Sequence, residues 1–128
     1  MAFEYNKDIE TRDSIIFGNY RPGEYHGGIR RFRELDVETL EKLIEEKFID
    51  PEECQNLSPT TWEFFNFMKR YPWWMAHGYV VEAKRPDYRM TIEGIETEME
   101  PHDPEELCEY SKLCGDADDF QTTYCWYD

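Results

Sequence analysis

Apolar and polar positions change their period several times along the chain, and each change marks an element. From Ser58 to Ile95 the order is an aromatic helix, a proline stop and a β-hairpin. Ser58 offers a hydroxyl cap and Pro59 suits a first helical position, where its missing N–H costs nothing. Phe64, Phe67, Met68 and Tyr71 then fall on one stripe at about 100° per residue, widened by Trp62 and Phe65, until Pro72 stops the run. A helix this apolar around its circumference must be covered on more than one side. Beyond it, residues 75–83 alternate, with Met75, His77, Tyr79 and Val81 on one face and Ala76, Gly78 and Val80 on the other. Lys84-Arg85-Pro86-Asp87 is a turn, and the return strand changes parity around Gly94, which is the trace a β-bulge leaves.

The flanking stretches are read in the same way. Residues 1–13 form a polar arm ahead of a single domain at 14–128, and Ser14–Phe17 is a short apolar run expected to be a first strand at the sheet edge. Ile29 to Leu35 alternates weakly, as a second strand or an extended entry to the next helix. Asp36 caps that helix, and Val37, Leu40, Leu43, Ile44 and Phe48 keep helical spacing over residues 37–48. Asp103-Pro104-Glu105-Glu106 opens a further helix over 104–114 that ends at Gly115. Phe120, Thr122, Tyr124 and Trp126 alternate as a last strand. The expected fold is α+β: two main helices on a small antiparallel sheet containing the 75–99 hairpin, with a short C-terminal helix and strand. Leu40, Leu43, Ile44, Phe64, Phe67, Met68, Val81 and Ile92 are the expected core.

Composition adds a strong acidity that is unevenly spread. The 128 residues carry a formal charge of −15; residues 93–128 hold 12 acids against Lys112 alone, while residues 1–92 hold 17 acids and 13 bases. Such a field disfavours nucleic acid or an anionic membrane as a direct partner. The opening Met1–Glu10 segment carries three acids without an apolar core, and no apolar run approaches the ~20 residues of a membrane helix. A soluble, cytoplasmic protein is therefore expected, with Cys54, Cys108, Cys114 and Cys125 as free thiols. Their spacing does not suit a zinc site, and neither metal nor cofactor is expected.

Two segments carry candidate chemistry. The first is the acidic C-terminal third, in which Glu105, Glu106, Glu109, Asp116, Asp118 and Asp119 accompany Trp126 and Tyr127. Rings among carboxylates suit a contact surface, the rings as anchors and the charges for steering. The expected function is a binding or inhibitory module meeting a basic protein, such as a nucleic-acid-binding protein whose ligand the carboxylates imitate. The second segment is the Gly23–Gly28 loop, where Glu24, Tyr25 and His26 offer the alternative of a small enzyme with a general acid–base pair. A purely structural accessory role is the remaining alternative. His77 in the hairpin reads as a hydrogen-bonded strand histidine. His102 and Asp103, among acids, suggest at most a weak cation site, and the acidic run from Asp116 lacks the closing glutamate of a calcium loop.

Overall fold

The aromatic helix sits at the centre, as its all-round apolar surface requires. In the computed structural model, which describes residues 3–101 and 103–128, it spans Thr61–Arg70. Among the described residues four α-helices accompany a five-stranded antiparallel sheet, so the architecture is α+β. In chain order these are α1 (Ile9–Phe17), β1 (Ile29–Leu35), α2 (Val37–Glu45), α3 (Thr61–Arg70), β2 (Met75–Val81), β3 (Met90–Glu96), α4 (Pro104–Cys114), β4 (Asp119–Gln121) and β5 (Tyr124–Trp126). The strands lie side by side as β1-β2-β3-β5-β4.

Capping chemistry sets the helix boundaries. α3 starts one turn's fraction later than Ser58 suggests, because Thr60 and Glu63 form a reciprocal capping box. The Ser58 hydroxyl instead accepts from the Gln55 N–H and ties off the preceding loop. Phe64, Phe65, Phe67 and Met68 are buried, and the Phe67 ring meets those of Tyr71, Trp74 and Tyr110 at 5.0, 5.5 and 6.2 Å. α2 begins at the Asp36 cap, whose carboxylate accepts from the Thr39 N–H at 2.8 Å. It ends at Glu45, short of the expected 48, because Lys47 adopts a left-handed φ of 63° and turns Phe48 and Ile49 into the core. α4 starts on the Asp103 cap with Pro104 in its first turn, as its sequence predicts. Of the expected core, Leu40, Leu43, Phe64, Phe67, Met68, Val81 and Ile92 are buried, while Ile44 packs half-buried against the rim.

The hairpin forms with a bulge beside Gly94. His77 pairs with Gly94 and Gly78 with Ile92, so Glu93 is the extra residue on β3. Glycine is required at position 94 because a Cβ there would lie 1.9 Å from the Cys125 carbonyl oxygen on the neighbouring strand. The C-terminal segment differs from the single strand expected: it turns at Thr122–Thr123 into two short strands, β4 and β5. Two contacts hold the turn. The Tyr110 hydroxyl donates to the Gln121 carbonyl at 2.6 Å, and the Tyr127 N–H donates to the Glu93 carbonyl at 2.7 Å.

The N-terminus is the largest departure. Ser14–Phe17 is not a strand, and the sheet edges are β1 and β4. Residues 9–17 form α1, capped by Asp8 and closed by Gly18 at φ 80°. Arg12 and Asp13, within the stretch that reads as a polar arm, are both fully buried. Arg12 donates to the Asp13 carboxylate at 3.0 Å, the Val81 carbonyl at 3.1 Å and the Tyr25 hydroxyl at 2.7 Å, and Tyr25 donates on to Asp13 at 2.6 Å. This closed polar network overrides the β propensity of Ile15 and Ile16 and pins α1 to the end of the hairpin. Among the described residues no helix is long and apolar enough to cross a membrane.

Candidate functional site

The acidic third does not make one surface. Glu106 is buried, and a single carboxylate oxygen accepts from the indole N–H groups of Trp73 and Trp74, each at 2.9 Å. Tyr127 is buried too, its hydroxyl donating to the Leu113 carbonyl at 3.2 Å. Glu109 and Glu105 accept from the Arg70 guanidinium, so the acids of α4 answer the basic end of α3. The Glu109 bond from Tyr71 also pushes that phenol up to about 12. Asp118 accepts from the Asp128 N–H and Asp119 from the Gln121 side chain. Asp116 is exposed and Trp126 half-buried. Interior packing therefore takes Glu106 and Tyr127, and local pairing occupies much of the remainder.

The glycine loop is likewise divided. Tyr25 belongs to the Arg12–Asp13 network, whereas Glu24 and His26 are exposed. His26 bridges Ile29, which pairs with Val81, and His77 lies four residues further along β2. At ~3.3 Å per residue, that separates the two imidazoles' strand positions by about 13 Å. The depression that holds His77 is not lined by Glu24 or His26. His102 lies outside the described residues. Among the described residues no group of three or more His, Cys, Asp or Glu side chains is placed to hold a metal ion.

The sheet itself supplies a better site, on the face turned away from the helices. Ala76, Val80, Met90, Ile92 and Ile95 face the helical core. The opposite positions present Arg31, Arg33, His77, Glu93, Tyr124 and Trp126 around a depression of about 420 Å³. Glu93, buried on its bulge, accepts from Arg31 at 2.5 Å and from the Trp126 indole at 3.3 Å. Glu96 accepts from Arg33 through two bonds of 3.2 and 2.7 Å, the bidentate form that fixes a guanidinium plane. Between them stands His77, only 6% exposed, with Nε2 2.8 Å from the Cys125 carbonyl oxygen and its ring 5.0 Å from that of Tyr124 at an interplanar angle of 6°. A carbonyl only accepts, so Nε2 carries the proton and Nδ1 keeps its lone pair. Burial holds the imidazole below its ordinary range, outweighing the Cys125 carbonyl and the nearby Glu96 and Glu93, so the ring is neutral at pH 7.

A second depression of about 460 Å³ adjoins the first and shares Arg33 with it. Its apolar part is Trp73, Met75 and Met99, of which Trp73 and Met99 are 42% and 55% exposed. Glu34 and Glu98 stand exposed at its margin, and neither has a cation within ion-pair distance among the described residues. The Trp73 indole is fixed by its bond to Glu106, so the apolar wall is set before anything binds. Alternation along β2 puts Met75 and His77 on one face at the sequence level. Nothing local says that the helices leave this face uncovered.

Comparison with protein-family models, curated proteins and solved structures gives no match for this chain.

Proposed function

We propose that this chain is an acidic binding or inhibitory module that docks a basic protein surface, with its contact centred on the Trp73–Met75–Met99 depression. The carrying observation is that two large apolar side chains, one of them the tethered Trp73, stand exposed between carboxylates that have no cationic partner among the described residues. Rigid apolar anchors desolvate on docking and supply most of the affinity, whereas the rim charges set the encounter rate. The overall charge of −15 favours a cationic partner, and a nucleic-acid-binding protein fits that chemistry. Glu105, Asp116 and Asp118, exposed elsewhere, add to the long-range field and not to the contact.

The test begins with affinity capture from the native host and identification of the bound protein. Its kinetics are then measured against variants. Trp73→Ala and Met99→Ala should speed dissociation, with a cost of about 2 kcal/mol or more for an anchor residue. Glu34→Gln with Glu98→Gln should slow association, and the difference should vanish at 1 M salt, where the Debye length is about 3 Å. A captured partner whose rates ignore all four changes would place the contact elsewhere.

A further inference from the structure

The two depressions are coupled by strand geometry, and the His77 depression has a chemistry of its own. His77 is 94% buried, yet Nδ1 has no hydrogen-bond partner among the described residues. No buried side-chain nitrogen or oxygen lacks a partner among the described residues, so Nδ1 is not sealed from solvent, and His77 itself lines the depression. Glu93 and Asp119 are the acids that line the depression, and its two guanidinium groups, Arg31 and Arg33, are already committed to Glu93 and Glu96. An anion entering here would have to displace those ion pairs. A nucleic-acid strand would find rings to stack on, but its phosphates would meet Glu93 and Asp119 beside two arginines already in ion pairs. What the depression lacks is a cationic donor, able to bond Nδ1 and to neutralise Asp119.

Met75 lines one depression and His77 the other, on the same face of β2 and two residues apart. That spacing is about 7 Å, the distance between alternate side chains of any extended peptide. Building on the binding surface above, we infer that the partner presents an extended segment with an apolar side chain at one position and a lysine or arginine two positions away. The apolar group enters between Trp73, Met75 and Met99, and the cationic group enters beside His77 and Asp119. Recognition is then by charge and by period together, the mode in which alternate side chains of an extended ligand fill successive pockets.

Three short blocked glycine-rich peptides provide the probe: one with Leu-Gly-Lys at its centre, one with Leu-Gly-Glu and one with adjacent Leu-Lys. Amide and imidazole nitrogen spectra of the labelled protein follow each titration up to about 10 mM, a range suited to millimolar dissociation constants. The Leu-Gly-Lys peptide should move the signals of residues 73–77 and 94–99 together with the His77 imidazole. It should bind at least about fivefold more tightly than either control, and His77→Phe or Asp119→Asn should remove that preference while the melting curve confirms folding. Equal binding of all three peptides, or shifts confined to the Trp73–Met99 region, would overturn the inference and leave the docking surface intact. Absence of any shift would overturn it as well. The docking surface itself fails only if the natural partner ignores Trp73→Ala, Met99→Ala, Glu34→Gln and Glu98→Gln.

Discussion

Replacing Arg12 with methionine is the sharpest perturbation of this fold. The guanidinium is fully buried and makes three hydrogen bonds, to Asp13, Val81 and Tyr25, and it lies 5.0 Å from the centre of the Tyr88 ring. Methionine retains most of the stem but none of the donors. Asp13, also fully buried, then keeps only the Tyr25 hydroxyl and a distant Arg30 at 4.0 Å. Breaking a buried pair from one side costs about 3–5 kcal/mol, because the partner's charge is left uncompensated. Against a total of ~5–15 kcal/mol for a domain, that is a large share. With a urea slope of ~1–3 kcal/mol/M, the midpoint should fall by about 1–5 M, read by tryptophan fluorescence. Removing both charges, as Arg12→Met with Asp13→Leu, should recover most of the loss, since an apolar replacement leaves no stranded charge. Amide exchange along α1 should quicken in the single variant and return toward wild type in the double one. A single variant within about 0.5 kcal/mol of wild type, or a double variant worse than the single, would refute the reasoning.

Four further outcomes are expected. Phe67→Ala should cost about 3–5 kcal/mol in the same urea assay, because its ring meets three other rings in the core; a melting point within a degree or two of wild type would remove α3 from the centre of the fold. Glu106→Ala strands two indole donors, one of them on the fully buried Trp74, and should cost about 1–3 kcal/mol. Glu105→Gln, on the same helix but exposed, should change stability by less than about 0.5 kcal/mol. His77 has a folded pKa below its ordinary value of about 6.5, so the unfolded chain takes up the proton first as pH falls. Its contribution is complete above that ordinary value and is lost as pH drops toward the folded pKa, so unfolding free energy should decline from pH 7.5 to 5, and less steeply in His77→Gln.

Elements whose signals are local were legible in the sequence. The Asp36 cap, the Asp103-Pro104 start and the glycine beside the bulge each act within a few residues of the geometry they produce. α1 was hidden because its evidence is remote: a charged, weakly patterned segment becomes a buried helix only through Tyr25 and Val81. The C-terminal hairpin was hidden for the same reason, its turn held from Tyr110 and Glu93. Charge also misdirects at single positions. Glu106 looks solvated in an acidic helix, and only the two indoles 33 and 32 positions earlier give its carboxylate a reason to be inside. The candidate site was half legible. β2 alternation set Met75 and His77 on one face, but which face the helices would cover depended on how α3 and α4 packed across the sheet.

The anchor of α1 also orders events during synthesis. Arg12 leaves the ribosome first, while its acceptor Val81 follows 69 residues later. At ~5–20 residues per second that is a wait of roughly 3–14 s. A helix of nine residues does not hold by itself in water over that time. The waiting segment stays harmless because the side chains that will anchor it are a guanidinium and a carboxylate, hydrated until the hairpin end exists to receive them. The N-terminal segment can therefore dock only after Val81 has emerged, as a latch closing on the end of the hairpin. Any truncated product that stops before Val81 would carry that latch open, leaving residues 9–17 as a handle for proteases to take.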